Sequence, residues 1–261
     1  MNKKLKLLGV AAAMSLSVNA QAAIIDLFSI PQNINDNTAD LTAVTATVTD
    51  AADPGSIIGG VRDISVNLIN DTNPSTANMV EMDIFGGILS FSNDNGAGGE
   101  GIVQWDATPG LALNMTGLGG IDLRADGSNA FVYEVLSVDL GFQISIEVYT
   151  DATHWTKALI QTDNVGVDTI PFVNLENAAL CGNVPPPIGS LLAVTCGAAG
   201  PANLSSVGAL QTILNVSGGT LAVDLSIRNI TTQVPEPATI ALLGAGLVGA
   251  GFAGRRRKSV K

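Results

Sequence analysis

Histidine, cysteine and positive charge are all scarce in this chain. There is one histidine in 261 residues, His154, and a chain with a single histidine holds no His-rich zinc site. No G-x-S-x-G elbow occurs to seat a hydrolase serine. Between Asp26 and Glu236 lie all 23 acidic residues but only four basic ones, Arg62, Arg124, Lys157 and Arg228, a net of −19 for that stretch. Nucleic-acid binding begins by neutralising phosphates, so this body repels DNA and RNA. Long helical periodicity is also missing between the two ends, which argues against an α-helical body. Cys181 and Cys196 are the only cysteines. An even count in an exported chain predicts a disulfide, here closing the Pro-rich loop that holds Asn183 to Pro187.

The remaining basic residues collect at the extremities. Residues 1–22 read as a secretory signal. Lys3, Lys4 and Lys6 are its basic region, Leu7 to Val18 its apolar region, and Ala20-Gln21-Ala22 its A-x-A cleavage site. The mature chain is then expected to begin at Ala23. The apolar region is too short for a comfortable membrane span.

At the other end, Val234-Pro235-Glu236-Pro237 precedes an uncharged stretch, Ala238 to Gly254, and then Arg255-Arg256-Arg257-Lys258. As a helix the 17-residue stretch would be ~25 Å long, at the short limit for a bilayer core. Positive charge beyond it belongs on the cytoplasmic side. Both ends therefore place the acidic body outside the inner membrane. Gly244-Ala245-Gly246-Leu247-Val248-Gly249 matches a dinucleotide-binding fingerprint. Only twelve residues follow it and none is acidic, so the βαβ unit and ribose-binding carboxylate are missing. The small residues suit close helix packing in a membrane instead.

In its ordered set of Val234-Pro235-Glu236-Pro237, apolar stretch and Arg-rich end, this tail resembles the PEP-CTERM sorting signal of Gram-negative bacteria. The resemblance implies processing by an exosortase, a membrane-embedded Cys-dependent enzyme, and delivery to the cell surface or extracellular polymer. Export would engage the Sec translocon and signal peptidase. Pro235 and Pro237 fix φ and disfavour helix, leaving the segment extended for a protease groove.

The middle, 23–232, alternates polar and apolar residues with period two, which predicts strands. Phe142 to Val148 and Leu221 to Arg228 are the clearest runs, with Ile64 to Leu68 and Ala43 to Thr49 beside them. Ala130 to Val138 is apolar on both faces and reads as a central strand. Val207 to Leu214 fits either helix or strand. Asp53-Pro54-Gly55, Asn93 to Gly96, Pro109-Gly110, Asp126-Gly127 and Ser217 to Gly219 mark turns. The expected fold is all-β, an antiparallel two-sheet sandwich of jelly-roll-like form, followed by a C-terminal transmembrane helix over 238–254 within a tail of 233–261.

Chemistry is sparse in this reading. His154 follows Asp151 and precedes Trp155, an arrangement open to a base, a sugar-binding surface or a plain structural role. The carboxylates are numerous but none stands out as a glycosidase pair. No cofactor is expected. Calcium is the one ion worth testing, at Asn93 to Glu100 or around Asp122 and Asp126, although the loop misses the EF-hand register. Thr45, Thr47 and Thr49 form a single threonine run and no array. Three functions stay open: a non-enzymatic surface or matrix protein, a carbohydrate-binding module using Trp105, Trp155 and Tyr149, and a secreted hydrolase.

Overall fold

The computed structural model describes residues 22–73, 77–139, 141–182 and 191–235. The apolar stretch 238–254, Glu236, Pro237, the cluster Arg255 to Lys258 and Ala20 lie outside the described residues, as does most of the signal segment. Among the described residues no helix is long and apolar enough to cross a membrane.

Among the described residues fourteen strands form two seven-stranded sheets, and every ladder is antiparallel. The first sheet holds β1 (Ile24–Asp26), β2 (Gln32–Asp36), β5 (Val80–Phe85), β6 (Ile88–Asn93), β8 (Ala130–Val138), β11 (Gly166–Pro171) and β14 (Asp224–Gln233). Its order is β11-β8-β14-β6-β5-β2, with β1 beside the second half of β14. The second sheet holds β3 (Val44–Thr49), β4 (Val61–Asp71), β7 (Ala97–Trp105), β9 (Phe142–Tyr149), β10 (Trp155–Thr162), β12 (Leu191–Cys196) and β13 (Ala209–Leu214). Its order is β12-β10-β9-β13-β7-β4-β3. One short helix, α1 (Phe172–Leu175), follows β11.

The expected two-sheet antiparallel sandwich is present. A simple jelly roll has eight strands, whereas these sheets hold seven each. Ala130 to Val138 lies inside its sheet, between β11 and β14, but its polar-facing positions are only half-buried. Val207 to Leu214 resolves into a strand from Ala209, because both its neighbours, β7 and β9, offer open ladders. The last strand starts at Asp224 and runs on to Gln233. Leu221 and Ala222 form a turn before it, with Ala222 at φ 52°.

The inner faces meet in one apolar core. Ile64, Val66 and Leu68 of β4 face Met82, Ile84 and Phe91 of the opposite sheet, all at most 1% exposed. The sheets approach so closely at Gly101 that a Cβ there would lie 2.7 Å from Met82 and 2.8 Å from Phe91. The strand therefore needs glycine at that position for packing reasons.

A charge pair lies within this core. Arg62 on β4 and Asp26 on β1 are both fully buried, with guanidinium to carboxylate distances of 2.9 and 3.1 Å. Arg62 also donates to Gln32 Oε1 at 2.9 Å and to the Ile30 carbonyl at 2.6 Å. Asp26 accepts from Trp105 Nε1 at 2.8 Å and from the Phe28 N–H at 2.7 Å. Burial pushes the Asp26 carboxyl up, and the Arg62 charge, the Trp105 indole and the Phe28 amide pull it back. Cys181 and Cys196 form the expected disulfide, with Cα atoms 5.3 Å apart. Closing a loop of that size stabilises by ~3 kcal/mol in the chain-entropy model.

Removing one member of a buried pair leaves the other uncompensated. Arg62→Met is expected to lower stability by about 3–5 kcal/mol, read as a urea midpoint shift by tryptophan fluorescence. The double variant Arg62→Met with Asp26→Asn is expected to recover part of the loss. An unchanged midpoint in the single variant would contradict the assigned role.

Candidate functional site

The outer face of the second sheet carries a polar row. Ladder register places Thr47, Asp63, Gln104, Gln211, Glu147, Lys157 and Thr195 side by side across all seven strands. Alternation puts these residues on the face away from the core. Two rungs along, Trp155 on β10 pairs directly with Tyr149 on β9, on the same face.

Glu147 is the hub of the row. It is 4% exposed. Its carboxylate meets Lys157 Nζ at 2.7 Å and accepts from Tyr149 Oη at 2.5 Å, Gln211 Nε2 at 3.1 Å and Ser145 Oγ at 3.4 Å. Lys157 and Gln211 come from the neighbouring strands, so the ladder register itself assembles the cluster. Toward β3 the row is covered. Asp63 is 1% exposed, and its Oδ1 accepts from Gly110 N at 2.8 Å and from the Thr47 hydroxyl. Gln104 donates to Asp106 Oδ2 at 3.0 Å. The loop after β7 therefore roofs the β4 and β7 end, and the accessible part of the face lies over β13, β9 and β10.

Tyr149 and Trp155 are both half-buried, with ring centroids 6.3 Å apart and planes tilted by 38°. Trp155 is braced from the side. Gly197 N donates to the Trp155 carbonyl at 2.9 Å, and a Cβ on Gly197 would come within 2.9 Å of Trp155 Cδ1. Gly197 follows the disulfide cysteine Cys196, whose strand β12 pairs with β10.

Trp105 departs from the sequence expectation. It is 2% exposed and its indole N–H is committed to Asp26 inside the core, so it is no stacking residue. His154 sits in the β9–β10 turn, half-exposed, with Nδ1 3.1 Å from Asp151 Oδ2. Asp151 Oδ1 accepts from Thr153 N at 2.7 Å, Thr153 Oγ1 at 2.8 Å and His154 N at 2.8 Å. Those donors, the Thr153 amide first, hold its carboxyl below the usual carboxylate range. The pair thus shapes a turn. Thr45, Thr47 and Thr49 share the outer face of one edge strand.

In the loops weighed for calcium, one oxygen of each of several carboxylates accepts from a backbone amide, while Asp126 Oδ2 and Asn93 Oδ1 take no hydrogen bond. Asp94 Oδ2 accepts from Met79 N at 2.9 Å, Asp122 Oδ1 from Arg124 N at 2.8 Å and Asp126 Oδ1 from Ser128 N at 2.8 Å. Among the described residues no three His, Cys, Asp or Glu side chains gather as metal ligands.

The first and last strands of the described sandwich meet in the first sheet. Ala23 N donates to Thr232 Oγ1 and Thr232 N to the Ala23 carbonyl, both at 2.8 Å. Ala22 precedes this contact directly, and Val234 and Pro235 follow β14 directly. The glutamate-centred cluster, by contrast, was hidden in the sequence. Gln143, Ser145 and Glu147 alternate as expected of a strand's polar face, but only cross-strand register brings Lys157 and Gln211 to Glu147.

Both tyrosines have phenols pushed upward. For Tyr133 the cause is burial and then the Asp168 charge, and for Tyr149 burial and then Glu147. A phenol with a raised folded value stabilises the fold fully below its ordinary value of ~10 and loses that contribution as pH rises through the folded value. Spectrophotometric titration of the native protein is therefore expected to show no phenolate step near pH ~10. Phenolate absorbance should appear only at higher pH, together with unfolding. A native step at the ordinary value would contradict the geometry.

No curated protein matches the chain in sequence. Among solved structures, similar ones include an agarase, AgWH50C, with 16% identity, 60% of this chain and 22% of the agarase covered, and a TM-score of 0.34. An exo-beta-agarase shares 12% identity over 83% of this chain and 25% of its own, with a TM-score of 0.37. CtCBM11 shares 10% identity over 84% of this chain and 99% of its own, with a TM-score of 0.35. The chain spans about a quarter of the length of the two agarases. Likenesses at these scores bear on neither ligand nor activity. A family described as the PEP-CTERM protein-sorting motif matches residues 233–258, about a tenth of the chain. That match begins at Gln233, the last residue of β14. The tail of this chain is therefore a PEP-CTERM protein-sorting motif, which implies an exported protein sorted by an exosortase.

Proposed function

We propose that the chain is a non-enzymatic surface protein. It is exported by the Sec route, trimmed by signal peptidase after Ala22 and held in the inner membrane by residues 238–254. An exosortase then cuts near Pro235 to Pro237, and the sandwich is displayed on the surface or released into the extracellular matrix. The observation that carries this reading is the match at 233–258, which begins at the last residue of the final strand. A sorting signal there leaves the whole described sandwich as cargo.

The non-enzymatic reading is supported by how the titratable groups are used. His154 and Asp151 build a turn. All four basic side chains of the body are held in ion pairs, namely Arg62–Asp26, Arg124–Glu176, Lys157–Glu147 and Arg228–Glu134. A second reading, a carbohydrate-binding module, is favoured by one observation. Tyr149 and Trp155 stand together on an outer sheet face beside a polar cluster.

Replacing Pro235 and Glu236 by Ala is expected to block tail processing. The full-length precursor should accumulate in the membrane fraction and the surface fraction should be lost, as read by fractionation and mass spectrometry of the C-terminus. Unchanged processing and delivery would sink the exosortase assignment.

A further inference from the structure

We propose that the outer face of the second sheet, over β13, β9 and β10, binds an uncharged polysaccharide. Trp155 and Tyr149 form the stacking surface, and Gln211 and Lys157 form the hydrogen-bonding rim. This deepens the second reading above and rests on it.

The first argument is the placement of aromatic rings. Every other aromatic side chain among the described residues is buried, except Phe85 alone at the end of β5. Only at Tyr149 and Trp155 do two rings share a partly open face. An aromatic ring with one wet face offers apolar area and little entropy cost on binding. The C–H face of a pyranose is the sugar surface that fits it.

The second argument is preorganisation. Trp155 is braced by Gly197 and the disulfide-linked strand β12. Glu147 has all its visible capacity taken by Tyr149, Gln211, Ser145 and Lys157. It is therefore a positioning residue and does not itself meet ligand. The groups it fixes keep spare capacity. An amide retains its carbonyl oxygen, an ammonium its other N–H bonds and a phenol its lone pairs. Sugar hydroxyls both donate and accept, so they match this set. Groups already locked in place lose less entropy when ligand arrives.

The third argument is charge, and it selects the class of polymer. With its four cations internally paired and a net of −19, the body offers an anionic chain no free partner. Acidic polysaccharides, nucleic acids and anionic lipid headgroups are all disfavoured on this ground. On the face itself Lys157 compensates Glu147, so no bare carboxylate attracts a cationic peptide. Stacking and neutral hydrogen bonding are what remain. The geometry is compatible: neighbouring strands are ~4.8 Å apart, close to the length of one hexose unit. A polymer lying across the strands meets a new side chain with each sugar.

The test is native affinity electrophoresis of the full chain in mild detergent. Neutral gels contain a soluble β-glucan, a galactan or a mannan, and acidic gels contain alginate or pectate. At least one neutral polymer is expected to retard the protein, and neither acidic polymer should. Trp155→Ala and Tyr149→Ala should each weaken retardation about tenfold or more, compared at a temperature where circular dichroism shows each variant still folded, while Trp155→Phe retains part of it. Glu147→Gln should weaken binding and lower the raised titration of Tyr149, a change that lost contact area alone would not produce. Absence of retardation by all three neutral polymers would overturn the polysaccharide assignment. Retention by the Trp155→Ala and Tyr149→Ala double variant would show that another face binds. Retardation by the acidic polymers alone would refute the charge argument. None of these results touches the sorting of the chain, which is read separately through Pro235 and Glu236.

Discussion

The fold depends on a buried charge. Arg62 and Asp26 lie between two sheets that are otherwise joined by apolar contact, and each ion is tolerable only because the other is there. Hydrophobic contact has no direction, so two apolar sheet faces can slide past one another at small cost. A guanidinium with four bonds cannot. It fixes β4 of the second sheet against β1 and the chain after it in the first, at one offset. Trp105 joins β7 to the same carboxylate. The pair is thus better seen as a device for register than as a source of stability.

Much of this fold was legible from alternation alone. Phe142 to Val148 and Ile64 to Leu68 show strict period-two patterning, and both became strands over those residues. The pattern is local, whereas sheet membership and register are not. Val207 to Leu214 was undecidable because a strand covered on both faces loses its polar alternation, and within β13 only Gln211 is not buried. Trp105 misled for a related reason: a tryptophan is a stacking candidate or a core residue depending on which face of the strand it occupies. Its buried partner Asp26 is 79 residues away along the chain, so nothing local hints at the bond. The disulfide was readable because cysteine has few alternatives in an exported chain.

The candidate site shows the same division. Tyr149 and Trp155 flank a short turn and can be guessed to be neighbours. The Glu147 cluster draws on β9, β10 and β13, and β13 enters between β9 and β7 from a distant stretch of the chain. Only the crossover brings Gln211 to within 3.1 Å of Glu147. The sorting motif is the opposite case. It is a contiguous run of residues, so three-dimensional arrangement adds nothing to its legibility.

The position of β14 has a mechanical consequence. This strand is bonded along both sides, by β8 on one flank and by β6 and then β1 on the other. Tension applied at Pro235 acts along the strand, while its ladder bonds lie across it. The bonds must then yield together in shear and cannot open in succession like a zipper. Resistance to such loading is set by the unfolding rate and not by equilibrium stability. A sandwich tugged from this end is gripped by a strand bonded along both flanks, and the short β1 beside it ties the first strand of the sandwich into the same clamp.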